Sequence, residues 1–197
     1  ILELGPGDSV PGDGFRIEAV PTDHTRESLG FALVEEPRPG RFDVATAERL
    51  GVPAGPLFGR LHRGEEIALP DGSVVRPADV VGPERPGRKV VYSADTRPCR
   101  ALIDAARDAD LLIHEATFDS SERLRARETG HSTAAQAAAV AKEAGVRRLV
   151  LTHISARYAE NPGALLEEAR AVFPGTELAR DGWSTEVAFP DDPAAEP

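Results

Sequence analysis

Three polar residues stand where apolar strand patterns stop. They are Asp95 in Ser-Ala-Asp-Thr (93–96), Glu115 in His-Glu-Ala-Thr-Phe (114–118) and His153 in Leu-Thr-His-Ile-Ser (151–155). A fourth, His24, follows Asp23 in a polar turn. Taken singly, each has an ordinary reading: Asp95 as a helix cap, His153 as a hydrogen-bonded rim residue, His24 as a surface side chain. Together His24, Asp95 and His153 make the histidine–carboxylate–histidine set that zinc prefers, and a carboxylate has two oxygens with which to bridge two cations. Glu115 closes a strand of Leu and Ile, an expensive place for an unpaired charge. It is either a solvated strand end or a carboxylate held there to orient a histidine. His131 precedes Thr133, where a helix N-terminus would favour bound phosphate. A Glu115–His131 pair beside a metal can pass a proton to a departing oxygen. His114 alternates with Glu115 along the strand, so it is expected on the opposite face as a structural residue. His62 is expected to be solvated. Cys99, the single cysteine, reads as a small semi-buried side chain near a helix start.

The elements that must position these residues are legible as patterns. Residues 14–20 and 29–35 alternate in part and read as two strands, with Pro21-Thr22-Asp23-His24 opening the turn between them. From Lys89 the chain alternates strand and helix: a strand at Lys89–Ser93, a helix over 98–108 with Pro98 at its first position, and a strand at Asp110–Ile113. A loop and short helical region covers 119–128, and Thr133-Ala-Ala-Gln136 is a capping box opening an Ala-rich helix that ends at Gly145. A strand at Arg147–Thr152, a helix capped by Asn161-Pro162 and running through Val172, and a final strand at Ser184–Phe189 complete the reading. In layered α/β folds the strand ends gather on one rim, so Asp95, Glu115 and His153 are expected to converge there. The acidic, Pro-rich tail after Pro190 is expected to fray.

Residues 37–88 break this order. They hold eight Gly and eight Pro, nearly half of the 18 Gly and 17 Pro of the chain, with no sustained periodicity, and read as a functional excursion rather than core. Phe58 looks exposed at its centre, and Ile67–Leu69 with Val74–Val75 around Asp71-Gly72 reads as a small hairpin.

Composition bounds the function. A net charge of −10 argues against a general nucleic-acid binder, but residues 37–89 carry nine Lys/Arg against seven Asp/Glu, a net of +2 that leaves −12 elsewhere. This permits local contact with nucleic acid. No run approaches the roughly 20 apolar residues of a membrane span and no signal pattern opens the chain, so no membrane contact and a cytoplasmic location are expected. The chain has no Met and begins at Ile1, from which a missing N-terminal part of a longer protein is expected.

The motifs Asp-His-Thr-Arg-Glu-Ser-Leu-Gly-Phe (23–31), Ser-Ala-Asp-Thr-Arg-Pro (93–98), His-Glu-Ala-Thr-Phe (114–118), Gly-His-Ser-Thr (130–133) and Leu-Thr-His-Ile-Ser-Ala-Arg-Tyr (151–158) stand in order. In that order they resemble the bacterial ribonuclease Z family. The resemblance runs from before His24 to about Phe189. It implies an α/β fold of the metallo-β-lactamase type, an αββα sandwich of which this chain would hold the C-terminal portion, as a partial domain over 1–190. It implies that His24 ligates one zinc, Asp95 bridges, His153 ligates a second zinc, and Glu115 with His131 transfers a proton. Residues 37–88 would be an inserted tRNA-gripping arm with the Gly55-Pro56 element, Arg60 and Arg63 as substrate contacts. The implied reaction is removal of 3′ trailers from precursor tRNA by a homodimer with two zinc ions per complete subunit. Two departures stand out. Ala94 replaces the family's Gly before the bridging Asp, which asks the backbone to avoid a glycine-only conformation. The His-x-His-x-Asp-His motif, upstream of Ile1 in the family, is absent from these residues, so the isolated chain is expected to bind metal weakly and not turn over. The alternatives are a small-ester phosphodiesterase or sulfatase of the same fold, and a metal-free remnant serving as a binding or dimer partner.

Overall fold

The structure, a computed structural model, describes residues 2–189; the tail beyond Phe189, expected to fray, lies outside them. Pro37–Gly87 forms one compact unit and the segments flanking it form the other.

The flanking unit opens with β1 (Ser9–Pro11), β2 (Phe15–Pro21) and β3 (Leu29–Glu35), an antiparallel meander in which Phe15 pairs with Glu35 and Pro21 with Leu29. Gly30 is required by proximity, because a Cβ there would lie 2.6 Å from the Tyr92 carbonyl oxygen.

The Pro37–Gly87 unit has a small core of its own, so its lack of periodicity reflects short elements rather than an unstructured loop. It contains α1 (Val44–Arg49), α2 (Pro56–His62), a hairpin of β4 (Ile67–Ala68) and β5 (Val74–Val75), and α3 (Pro77–Val80). Val52, Leu61, Ile67, Val75 and Val80 are buried together. Phe58 is not exposed as its setting suggested: it packs on Phe42 at 4.9 Å between ring centroids. His62 is not simply solvated either; it is half-buried, and its Nε2 lies 2.9 Å from the Gly40 carbonyl oxygen.

Beyond it, β6 (Lys89–Tyr92), β7 (Leu111–Glu115), β8 (Leu149–Thr152) and β9 (Thr176–Leu178) add parallel strands to give the sheet order β1-β2-β3-β6-β7-β8-β9. The connections carry α4 (Arg100–Ala105), α5 (Arg123–Thr129), α6 (Ala134–Ala144) and α7 (Gly163–Val172). Parallel strands need such crossovers. Alternation sends Leu112, Leu149 and Leu151 into the core built with α4, α6 and α7, and with them goes His114, fully buried. Glu115 points the other way. Ala134, Ala137, Ala138 and Ala141 are buried on α6, where small side chains let the helix close on the sheet and on Leu165 and Ala169 of α7.

Several boundaries differ from the sequence reading. Helix α4 starts at Arg100, after Cys99 as N-cap, so Pro98 is not its first residue. Helix α7 starts at Gly163 with Pro162 at its cap and no side-chain cap bond, so Asn161 does not close it. The edge strand is Thr176–Leu178, and Ser184–Phe189 forms no ladder. That segment is held by guanidinium groups instead: Arg148 donates to the Glu186 carbonyl and Thr185 Oγ1, and Arg88 donates to the Val187 carbonyl and lies 4.3 Å from the Phe189 ring centroid.

Candidate active site

The rim at the C-terminal ends of β6, β7 and β8 gathers every residue singled out for chemistry outside the Pro37–Gly87 unit. His153 follows β8 and Asp95 follows β6, with His153 Nε2 3.6 Å from Asp95 Oδ1. The ring of His131 stacks on His153 at 5.2 Å and tilts against His24 at 4.9 Å. Candidate ligand atoms of His24, Asp95 and His131 lie within 4.8 Å of one another, as do those of Glu115, His131 and His153.

Glu115 organises this cluster. Its carboxylate is buried to 1 % exposure and accepts from the backbone N–H of Thr96, Thr117 and Ser132, from the Thr117 hydroxyl at 2.7 Å and from His131 Nδ1 at 2.8 Å. Fully satisfied, the charge at the end of an apolar strand is no longer expensive. The Thr117 hydroxyl has one proton and gives it to Glu115, so it must accept from His153 Nδ1, 2.8 Å away. His24 Nδ1 lies 3.0 Å from the Gly130 carbonyl, which can only accept. All three imidazoles therefore carry the proton on Nδ1, which leaves each Nε2 for a metal or a substrate.

The turn bearing His24 is clamped to the loop bearing Asp95. Thr96 Oγ1 accepts from the Asp23 N–H at 2.9 Å, and the Arg97 guanidinium donates to both Asp23 oxygens at 2.8 and 3.0 Å. Those bonds hold the Asp23 carboxyl below its usual pKa. Two residues here are left-handed without being glycine: Ala94 at φ 49° and His153 at φ 56°. Ala94, expected to be tolerated in place of Gly because it is small, does enter the left-handed region, which costs its methyl group some strain. Strained backbone of this kind, as at His153 just past a buried strand, clusters at functional sites.

Sequence reasoning missed Thr117 and Gly130. Thr117 was a letter in a motif, and its hydroxyl relay is visible only once Glu115 and His153 are adjacent. Gly130 is left-handed at φ 83°, and a Cβ there would lie 2.6 Å from His24 Nδ1. Among the proposed substrate contacts, Gly55 and Pro56 open α2, and Arg60 and Arg63 both lie against Glu65, at 2.7 and 3.7 Å. They belong to the Pro37–Gly87 unit, not to this cluster.

The beta-lactamase superfamily domain matches residues 72–154. Ribonuclease Z of Myxococcus xanthus is 55% identical over 192 residues, 97% of this chain and 62% of that protein. Ribonuclease Z of Haloferax volcanii is 54% identical over 193 residues, 97% of this chain and 61% of its own length. The chain is homologous to ribonuclease Z over nearly its whole length, and its residues 72–154 are similar to the beta-lactamase superfamily domain. It spans about three-fifths of the length of these ribonuclease Z relatives, 62% and 61%. Two solved structures share the fold. One is the metallo-β-lactamase fold protein YhfI of Bacillus subtilis, with TM-score 0.58, 22% identity, and 91% of this chain and 52% of that one covered. The other is the short form of human tRNase Z, with TM-score 0.54, 24% identity, and coverage of 92% and 48%.

Proposed function

We propose that this chain carries the proton-transfer pair and part of the zinc site of an endoribonuclease that removes 3′ trailers from tRNA precursors. The observation that carries the reading is the convergence of His24, Asp95, Glu115, His131 and His153 from five separate segments, each ring held by its Nδ1. The names of the ribonuclease Z relatives support the substrate class. The donor set fits zinc: neutral imidazole Nε2 atoms and a carboxylate, each ring braced from behind by a carbonyl, hydroxyl or carboxylate. His24, Asp95 and His153 would hold the metal, with Asp95 shared between two ions. His131 is spaced to ligate as well, but the buried Glu115 behind it suits a proton carrier. Zinc, when bound, acidifies water and offsets charge on the phosphate oxygens.

In the reaction, His131 Nε2 first takes a proton from solvent while Nδ1 stays on the Glu115 carboxylate. Water then adds to the phosphorus and loses a proton to solvent, the bond to the 3′ oxygen breaks, and His131 Nε2 passes its proton to that oxygen. The products are a tRNA ending in a 3′-hydroxyl and a trailer beginning with a 5′-phosphate. Glu115 keeps the ring aligned through Nδ1, and Thr117 does the same for His153. The Pro37–Gly87 unit, through Gly55, Pro56, Arg60 and Arg63, would grip the tRNA body. The protein would work as a homodimer, as the resemblance implies, and a tRNA-processing role would place it in the cytoplasm.

The deciding experiment incubates trailer-labelled precursor tRNA and zinc with the protein expressed from its complete reading frame. A 3′-hydroxyl tRNA end is expected, with His131→Ala and Glu115→Gln each lowering kcat by about 100-fold or more; a 3′-phosphate end, or no effect of either variant, would refute the mechanism. The 197-residue chain by itself should bind zinc weakly, since its three ligands shared by two ions leave each short of the roughly three that zinc sites hold. Tight stoichiometric zinc and cleavage by that chain would overturn this.

A further inference from the structure

A cleft of about 550 Å³ opens beside His131, lined by Arg97, Pro98, Arg123, Leu124, Arg127 and Gln136, with Asp23 at its edge. Its charges are unequal in availability. The Arg97 guanidinium is spent on the Asp23 carboxylate and on the Arg127 carbonyl, 2.8 Å away, which also fixes the backbone of Arg127. Arg123 and Arg127 stand four residues apart on α5, share its cleft-facing side and are exposed. Neither guanidinium has an ion-pair or hydrogen-bond partner among the described residues, whereas the neighbouring Glu122 is paired with Arg157 at 3.2 Å. Between them Leu124 is 77% exposed, an apolar surface at the mouth of a positive cleft. In a chain of net charge −10, two uncompensated arginines beside a candidate catalytic histidine make a local positive patch of the kind that attracts phosphates.

We infer that this cleft seats the 3′ end of the tRNA immediately upstream of the bond that is cut, with Arg123 and Arg127 on its phosphates and Leu124 with Pro98 beneath its last base. The inference rests on the reading of the protein as a tRNA 3′-processing nuclease. The direction of the strand follows from the chemistry: His131 gives its proton to the 3′ oxygen that leaves, that oxygen belongs to the upstream nucleotide, and His131 lines this cleft. The nucleotide preceding the cut therefore lies over the cleft, and its own 5′-phosphate falls towards α5. Arg123 and Arg127 are positioning residues, and their loss is felt in binding before chemistry.

The test is the double variant Arg123→Gln/Arg127→Gln in the protein from its complete reading frame, assayed with precursor tRNA. KM should rise about tenfold with a threefold or smaller fall in kcat, and the slope of log affinity against log salt should fall by about 1 to 2. Arg125→Gln, on the same helix but outside the cleft, should leave both constants as they are. The lysine pair Arg123→Lys/Arg127→Lys should recover most of the affinity, which a merely misfolded helix would not. Unchanged KM and salt slope in the double glutamine variant, with the unsubstituted protein active, overturn the inference alone; so does an equal effect of Arg125→Gln. An unsubstituted protein that neither binds nor cuts precursor tRNA overturns the underlying reading and this inference with it.

Discussion

Single atoms decide the quality of this site. The Gly130 carbonyl takes the Nδ1 proton of His24, and the absence of a side chain at Gly130 lets His24 come so close. Gly130→Ala should therefore push His24 away and weaken zinc binding by about tenfold or more, measured by calorimetry on the protein from its complete reading frame; an unaltered affinity would show that His24 is no ligand. Ala94 holds a left-handed backbone at φ 49°, so Ala94→Gly should raise stability by up to about 1 kcal/mol. A destabilised variant in denaturant titration would contradict the strain. His114 donates from Nδ1 to the Glu115 carbonyl while its Nε2 is buried without a partner, and burial lowers its pKa from 6.5. The unfolded chain then binds the proton that the folded chain refuses, so stability from this group is present above pH 6.5 and is lost as pH falls below it. Replacing His114 by Leu should flatten the stability profile between about pH 5 and 7 relative to the unsubstituted chain; parallel profiles would refute this. The residue types of the candidate site could be read from the chain because metal-binding and proton-transfer chemistry use few side chains. The Thr117 relay could not, since it exists only when Glu115 and His153 are neighbours.

The elements were readable where their patterns are long. The capping box of Thr133 and Gln136 is present, with Thr133 Oγ1 accepting from Gln136 N–H at 3.2 Å and Gln136 Oε1 accepting from Thr133 N–H at 2.9 Å. Thr133→Ala should cost about 1 kcal/mol in chemical denaturation, and a loss below the error of the measurement would mean that water replaces the cap. The helix cap, Thr133, lies two residues past His131, so it also steadies the backbone that carries the candidate proton carrier. Short elements escaped the reading. Thr176–Leu178 is a three-residue edge strand, too brief for alternation to register, while Ser184–Phe189 alternates like a strand but spends its carbonyls on Arg88 and Arg148. The start of α7 at Gly163 shows the same limit, because a cap is a matter of φ and ψ at one residue.

At the scale of the molecule, the chain forms a sheet-and-helix unit that carries the candidate site and a small unit with its own core. On the sheet face away from the helices, Leu2, Leu4, Val10, Ile17, Phe31 and Tyr92 help line an apolar hollow of about 460 Å³. If the Pro37–Gly87 unit grips tRNA, deleting residues 40–86 should lower kcat/KM for precursor tRNA at least about tenfold more than for a small phosphodiester, because phosphate contacts other than the one that is cut contribute to only one of the two substrates. Equal losses would argue that the unit supports the fold. From the sequence alone came the strand–helix alternation, the strand-end placement of Asp95, Glu115 and His153, and the opposed faces of His114 and Glu115, because these follow from periods of two and 3.6 residues and from the rim geometry of parallel sheets. Only the tertiary structure decided which ring nitrogens are free, which glycine is indispensable, where the backbone is strained, and that two unpaired arginines open onto His131. Those depend on distances between segments as much as 106 residues apart, such as His24 to Gly130, and no local pattern encodes such distances.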